Sequence, residues 1–295
     1  MPILLQNWRF LVSNLLEACI SIANSPQIEL TEFYSGKNRI NNMGKALEFY
    51  IEDAFAGTIH EKDEQVRLRK IQEVYSYSGN QNNPPDLILR GSDAIEVKKI
   101  ESSNSALALN SSYPKAKLYS DSAMITQACR DCETWSEKDI IYAIGHISKK
   151  KLKSLWMIYG NCYAADRDIY ERIKTTISSG ILEISDIEFT PTKELGKVKR
   201  VDPLGITDLR IRGMWSIFNP KKVFDYVYKS NDDRDFQLVA IMQDEKYTSF
   251  PESSKSNLES SNLLDLNDIK IKNPNNPANL MNAKMITFSI SASLT

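Results

Sequence analysis

Cysteine is scarce: the 295 residues include four, Cys19, Cys129, Cys132 and Cys162. That is too few for a disulfide framework in a chain of this length, and it fits a reducing, cytoplasmic setting. Cys129 and Cys132 have C-x-x-C spacing, but no second cysteine pair or His-x-x-x-His accompanies them, so they read as structural. The two histidines, His60 and His146, share no sequence neighbourhood, which argues against a histidine-metal nuclease or a histidine general base. No apolar run approaches the ~20 residues of a membrane helix, and Gln6, Arg9, Asn14 and Glu17 interrupt the opening stretch before a signal-peptide core could form. No membrane partner is expected. An excess of one charge is missing too, with 37 Lys and Arg against 38 Asp and Glu; any polyanion site must be a local patch. The patterns G-x-x-x-x-G-K-[ST] and G-x-G-x-x-G are also absent, which disfavours P-loop motors and dinucleotide enzymes.

What remains is ordinary globular composition, 42% hydrophobic and 25% charged, enough apolar mass for a large core. Trp8, Leu11, Val12, Leu15, Cys19 and Ile22 recur at helical spacing until Asn24, Ser25 and Pro26 stop them. A second helical pattern runs from about Asn38 to Ala56 and ends at Gly57. Strand-like segments follow at Gln72 to Ser78, Asp86 to Arg90 and Asp93 to Ile100, then a helix over Ala123 to Trp135. Strands at Asp139 to Ile147 and Leu152 to Tyr159 flank the basic turn Lys149, Lys150, Lys151. Beyond residue 165 the pattern loosens: a helix over Asp166 to Ser178, an extended stretch from Asp208 to Trp215, and a short aromatic-rich element from Lys221 to Lys229. Pro251 to Asn262 and Asn273 to Asn282 read as surface loops. This order implies an α/β (α+β) fold, a mixed central sheet flanked by helices.

The informative segment is NPPDLILRGSDAIEVKK, residues 83–99. Along its second strand Glu96 and Lys98 share one face and Ile95 and Val97 the other, because side chains alternate. A carboxylate pair plus a lysine suits divalent-metal phosphodiester hydrolysis: hard oxygen ligands hold Mg²⁺, and the lysine positions a water or offsets developing charge. An [DE]-x-K triplet is common by chance, and Asp244 to Lys246 and Asp268 to Lys270 are two others. Only Pro85 and Asp86 precede a strand, a turn and a second strand carrying Glu-x-Lys. The same charges also suit a solvated edge strand. Register separates the two readings. A two-residue Gly91-Ser92 loop would pair Asp86 with Val97, on the face opposite Glu96. A shared ion requires a three-residue loop, a β-bulge, or Asp86 at an irregular strand start set by Pro84 and Pro85.

With these residues in place, the sequence resembles the PD-(D/E)xK nuclease superfamily and, within it, the NgoPII-like type II restriction endonucleases. The resemblance spans about Asn38 to Tyr228 and rests on NRINNMGKALE, NPPDLILRGSDAIEVKKIES, LALNSSYPK and KELGKVKRVDPLGITDLRIRGMWSIFNP. It implies a restriction-endonuclease-like core and a Mg²⁺-dependent homodimer that cuts both strands of double-stranded DNA at the palindrome GGCC. A cognate methyltransferase would act on the same site without needing to bind this protein. Asp86, Glu96 and Lys98 fall on the superfamily's catalytic motif, with Asp86 and Glu96 as metal ligands. Glu48 falls on the acidic position often present on the preceding helix. It lies one turn after Gly44, whose missing side chain would let another backbone approach; a solvent-facing glutamate paired with Lys45 is the alternative.

For DNA contact, residues 193–229 hold nine Lys or Arg, Lys199 and Arg200 among them, against four acids. Arg210 and Arg212 would project from one strand face, and the arginine fork matches the O6 and N7 acceptors of guanine; an ordinary solvated face would look the same. Ser105, Asn110, Ser111 and Ser112 follow the catalytic strand on a polar segment able to reach a groove. The lysines at 149–151 and Lys153 read as a solubilising turn. We therefore expect one elaborated nuclease domain over 1–295, with a catalytic core at 36–165, a DNA-recognition region at 190–230 and C-terminal loops and an extension at 251–295. A repair or recombination nuclease of the same superfamily, or a catalytically silent DNA-binding module, are the other readings.

Overall fold

A computed structural model describes residues 13–35, 42–80, 83–102, 104–185, 187–190, 192–193 and 195–291. Asn14 starts α1 (Leu15–Asn24) by accepting from the Leu16 amide at 2.9 Å, and Leu15, Leu16, Cys19 and Ile22 are buried. Trp8, Leu11 and Val12, expected in the same helix, lie outside the described residues. After the single turn α2 (Leu30–Phe33), α3 (Met43–Ala56) begins on an Asn42 cap and buries Leu47, Tyr50, Ile51 and Phe55. The expected start of that helix, residues 38–41, is also outside the described set.

No helix is expected between Gly57 and residue 72, yet α4 (Glu64–Val74) forms there. Only Arg67 and Ile71 of it are buried, so it has no apolar stripe to read; charge docks it instead. Arg67 Nε donates to Asp53 Oδ1 at 2.7 Å and Nη2 to Glu52 Oε2 at 3.1 Å, both on α3. The first strand is accordingly β1 (Tyr75–Asn80), which pairs with β2 (Asn83–Leu89), itself paired with β3 (Ala94–Ile100). Two short strands follow, β4 (Leu107–Asn110) and β5 (Lys117–Tyr119). The helix expected over 123–135 shrinks to α5 (Gln127–Asp131), because Arg130 turns back to donate to the Ser120 and Ser122 carbonyls at 2.7 and 2.8 Å. Cys129 is buried on it, its thiol pushed up to about 12 by burial. Among the described residues no group of three or more His, Cys, Asp or Glu that could hold a metal ion is found.

The expected hairpin is β6 (Glu137–Ser148) and β7 (Lys151–Tyr159), turned by Lys149 and Lys150 at φ 49° and 66°. Then come α6 (Gly160–Tyr163), α7 (Arg167–Leu182), a small sheet of β8 (Phe189–Thr190), β9 (Gly196–Val198) and β10 (Leu209–Ile211), β11 (Trp215–Ile217) paired with β4, and α8 (Pro220–Val223).

The C-terminal part departs most from the sequence reading. The run FQLVAIMQ forms β12 (Phe236–Gln243), parallel to β7 and buried almost throughout. After α9 (Asp244–Ser249), residues 252–259, expected as loop, form α10 (Glu252–Glu259). Its buried stripe is only Ser254 and Leu258, with Asn14 Nδ2 donating to Ser254 Oγ at 2.9 Å. The second expected loop is a hairpin of β13 (Asp265–Asn273) and β14 (Asn276–Ile290). Its asparagines lie on and near an exposed outer edge, where polar side chains are tolerated. The main sheet runs β1-β2-β3-β6-β7-β12-β14-β13, with parallel pairs at β3/β6 and β7/β12 and antiparallel pairs elsewhere. The expected mixed sheet flanked by helices is therefore present, wider than the sequence suggested. No helix among the described residues is long and apolar enough to cross a membrane.

Candidate active site

The β2–β3 hairpin closes over three residues. Leu89 N–H donates to the Asp93 carbonyl at 2.9 Å, and Gly91, at φ 67°, supplies the left-handed turn position that side chains disfavour. Leu87 then pairs with Ile95 and Ile88 with Ala94. Continuing that register sets Asp86 opposite Glu96 on one face, the condition that a shared ion imposes. The Asp86 carboxylate accepts from the Val97 amide at 2.6 Å, and Lys98 Nζ donates to Glu96 Oε1 at 2.5 Å. The other oxygen, Glu96 Oε2, is buried and has no hydrogen-bond partner among the described residues.

The electrostatics describe a crowded anionic pair. Burial, and after it the Glu96 and Glu48 charges, push the Asp86 carboxyl up to about 7 against the pull of Lys98 and the Val97 amide. Burial works against the Lys98 ammonium, but the Glu96 and Asp86 carboxylates outweigh it and hold the amine above its ordinary value. Two facing carboxylates with one orphaned oxygen suit a hard divalent cation, whose remaining positions water and phosphate oxygens would fill.

A pH experiment follows from this pair. Asp86 holds its proton in the fold over the range where the unfolded chain releases it, so ion-free protein should lose stability as pH rises from about 4 to about 7. A cation needs the carboxylates ionised, so Mg²⁺ should raise the melting temperature more at pH 8 than at pH 6. Thermal melts across this range, with and without Mg²⁺, check both. Asp86→Asn should remove most of the two dependences; an unchanged pH slope in that variant would show that Asp86 does not titrate there.

Asp86, Glu96 and Lys98 line a cleft of about 600 Å³ with Asn110, Ser111 and Arg212. Glu48 lines the adjoining groove together with Asp86 while forming an ion pair with Lys45 at 2.8 Å. Among the described residues, a side chain at Gly44 would meet the Asn42 cap oxygen at 3.3 Å. Arg210 and Arg212 do not share a strand face as expected, because β10 pairing ends at Ile211. Arg210 stays opposite Lys197, and Arg212 leaves the strand for the cleft. Ser105, Lys199 and Arg200 are outside the cleft lining. The Ser105 carbonyl accepts from Asn219 Nδ2 at 3.4 Å, and Arg200 sits at the β9–β10 turn with its amide on Asp208 Oδ1 at 3.1 Å.

Ser112, expected with Asn110 and Ser111, also lines the cleft, and so do Lys115, Tyr113 and Tyr142, to which sequence reasoning assigned nothing. Lys115 ends the stretch LALNSSYPK, and a lysine after proline in a polar segment reads as solvated; its burial is a tertiary property.

Residues 13–272 match the family model described as NgoPII restriction endonuclease. The chain is also 50% identical over 278 residues to the type II restriction enzyme NgoPII of Neisseria gonorrhoeae, covering 94% of this chain and 100% of that protein. No solved structure matches significantly.

Proposed function

This chain belongs to the NgoPII restriction endonuclease family and is a type II site-specific deoxyribonuclease; from that premise we propose that it is Mg²⁺-dependent, with Asp86, Glu96 and Lys98 carrying the chemistry and GGCC as its site. The observation that carries the proposal is the register that sets Asp86 opposite Glu96, together with the unpartnered Glu96 Oε2. Bound Mg²⁺ would supply Lewis acidity toward the phosphate and a water of lowered pKa. The residues supply the rest. Asp86 and Glu96 present oxygen ligands, the Val97 amide fixes the Asp86 carboxylate, and Lys98 orients Glu96 while offering a positive charge to the reacting phosphate. Glu48, one groove away, adjusts the charge of the pair. Asn110, Ser111 and Arg212 face the groove edges of the duplex, while Arg210, Lys199, Arg200 and Ser105 reach phosphates outside the cleft. On this reading the enzyme acts in the cytoplasm as a homodimer on the palindrome, and a methyltransferase protects the same sequence without binding the nuclease.

Incubating plasmid DNA with the protein and Mg²⁺ should give discrete bands that map to GGCC. A smear or structure-selective nicks would favour a repair or recombination nuclease, and intact plasmid a silent DNA-binding module. Arg212→Ala should relax or destroy base choice, since a bidentate guanine contact is worth about 1 to 3 kcal/mol of discrimination. Arg210→Ala should do less, because its strand position is outside the cleft. Cleavage rates on single-base variants of the site measure both, and unchanged selectivity in Arg212→Ala would remove it from base reading.

A further inference from the structure

The deepest cation in the cleft is one that the catalytic motif does not include. Lys115 is 8% exposed, and burial pushes its ammonium down to about 8 against the opposing charge of Glu96. Its Nζ donates to Ser112 Oγ and, at 3.3 Å, to the Tyr113 carbonyl, and it lies 5.5 Å from the centre of the Tyr113 ring. Among the described residues no carboxylate is within ion-pair distance of it. Neutral oxygens alone leave a desolvated positive charge without a counter-ion.

The placement is built from outside the motif. Lys115 N–H donates to Tyr142 Oη at 2.7 Å, which ties the segment to β6. At Gly160 a side chain would come within 2.3 Å of the Lys115 carbonyl and 2.6 Å of that of Ala116. Only glycine lets residues 115–116 lie against the start of α6, and that contact presses the lysine into the cleft. Lys115 also lines the neighbouring groove with Lys117 and Arg167, so it stands where the path of a bound strand would continue from the carboxylate pair.

We propose that Lys115 is a phosphate-binding residue, its buried ammonium taking a non-bridging oxygen of a DNA backbone phosphate at or next to the one facing Asp86 and Glu96. This rests on the nuclease reading above. The phosphate supplies the missing counter-charge; Ser112 holds the amine ready for it, and Tyr142 fixes the Lys115 backbone behind it. The contact reads charge and position, not sequence.

The test is binding to a GGCC duplex with Ca²⁺ in place of Mg²⁺, as a function of salt. For Lys115→Met the slope of log affinity against log salt should be shallower than wild type by about 0.9, the signature of one lost phosphate contact. In a second measurement, single methylphosphonates neutralise in turn the scissile phosphate and its two neighbours. One position should cost the wild type about tenfold in affinity and cost Lys115→Met almost nothing, as expected when a charge-assisted bond is already gone. An unaltered salt slope with equal losses for every duplex would mean that the substitution only damages the fold, and would overturn the proposal. So would a wild type indifferent to all three neutral phosphates, which needs no variant to fold. Wild-type protein that does not bind the duplex would overturn the nuclease reading beneath it as well.

Discussion

Alanine at Asp86, Glu96 or Lys98 should abolish cleavage while leaving specific binding in Ca²⁺ largely intact. The phosphodiester bond is inert enough that cation and water activation supply most of the barrier reduction, so loss of a ligand should cost several kcal/mol, about a thousandfold or more in rate. The three substitutions fail for different reasons. Asp86→Ala would remove the proposed oxygen ligand, which the Val97 amide holds at 2.6 Å. Glu96→Ala removes the unpartnered oxygen and also frees Lys98, so its variant should bind the cation most weakly. Lys98→Ala keeps both carboxylates but removes the charge that offsets them, so it should lose turnover more than it loses DNA affinity. Glu48→Ala should do less than any of them, because Glu48 is paired with Lys45 and reaches the site only through its field. Single-turnover cleavage and binding measured on the same preparations separate these cases. Wild-type-like cutting by any of the three would end the assignment.

The β2–β3 hairpin that carries Asp86, Glu96 and Lys98 was legible because strand alternation and register are local rules. Glu96 and Lys98 had to share a face, and a three-residue loop was one of the few arrangements that could bring Asp86 to it. The five apolar residues LVAIM inside FQLVAIMQ could also have been read as a buried strand, and β12 follows that rule. Other elements left no local signal. α4 docks through Arg67 and Asp53, a charge pair that no hydrophobic period reports, and α10 buries only Ser254 and Leu258. The β13–β14 hairpin carries asparagines and prolines that on composition alone mean loop. Lys115 was hidden for a related reason: its environment comes from Tyr142 on β6 and Gly160 on α6, far along the chain.

The chance triplet at Asp244 to Lys246 has a structural part, and it carries the second large effect. Lys246 Nζ donates to Asp93 Oδ1 and Asp139 Oδ2, both at 2.7 Å, and Tyr159 Oη donates to Asp93 Oδ2 at 2.6 Å. Asp93 is 2% exposed and closes the turn that sets the Asp86 register, so a lysine on α9 braces the catalytic hairpin. Burial raises the Asp93 carboxyl, and Lys246 is the main opposing pull. Lys246→Met leaves that carboxylate buried with a hydroxyl as its remaining side-chain partner, and breaking a buried pair in this way costs roughly 3 to 5 kcal/mol. The partial exposure of Asp139 places the value toward the lower end. Adding Asp93→Asn to Lys246→Met should recover part of the loss, since the orphaned charge is then gone, and the double-mutant cycle should show coupling well above 0.5 kcal/mol. Urea unfolding of the four proteins measures this. Cleavage by Lys246→Met should fall as well, although the residue is outside the cleft, because the hairpin turn it braces fixes the spacing of Asp86 and Glu96. A Lys246→Met protein within about 0.5 kcal/mol of wild type, the range of ordinary surface changes, would show that the brace bears no load.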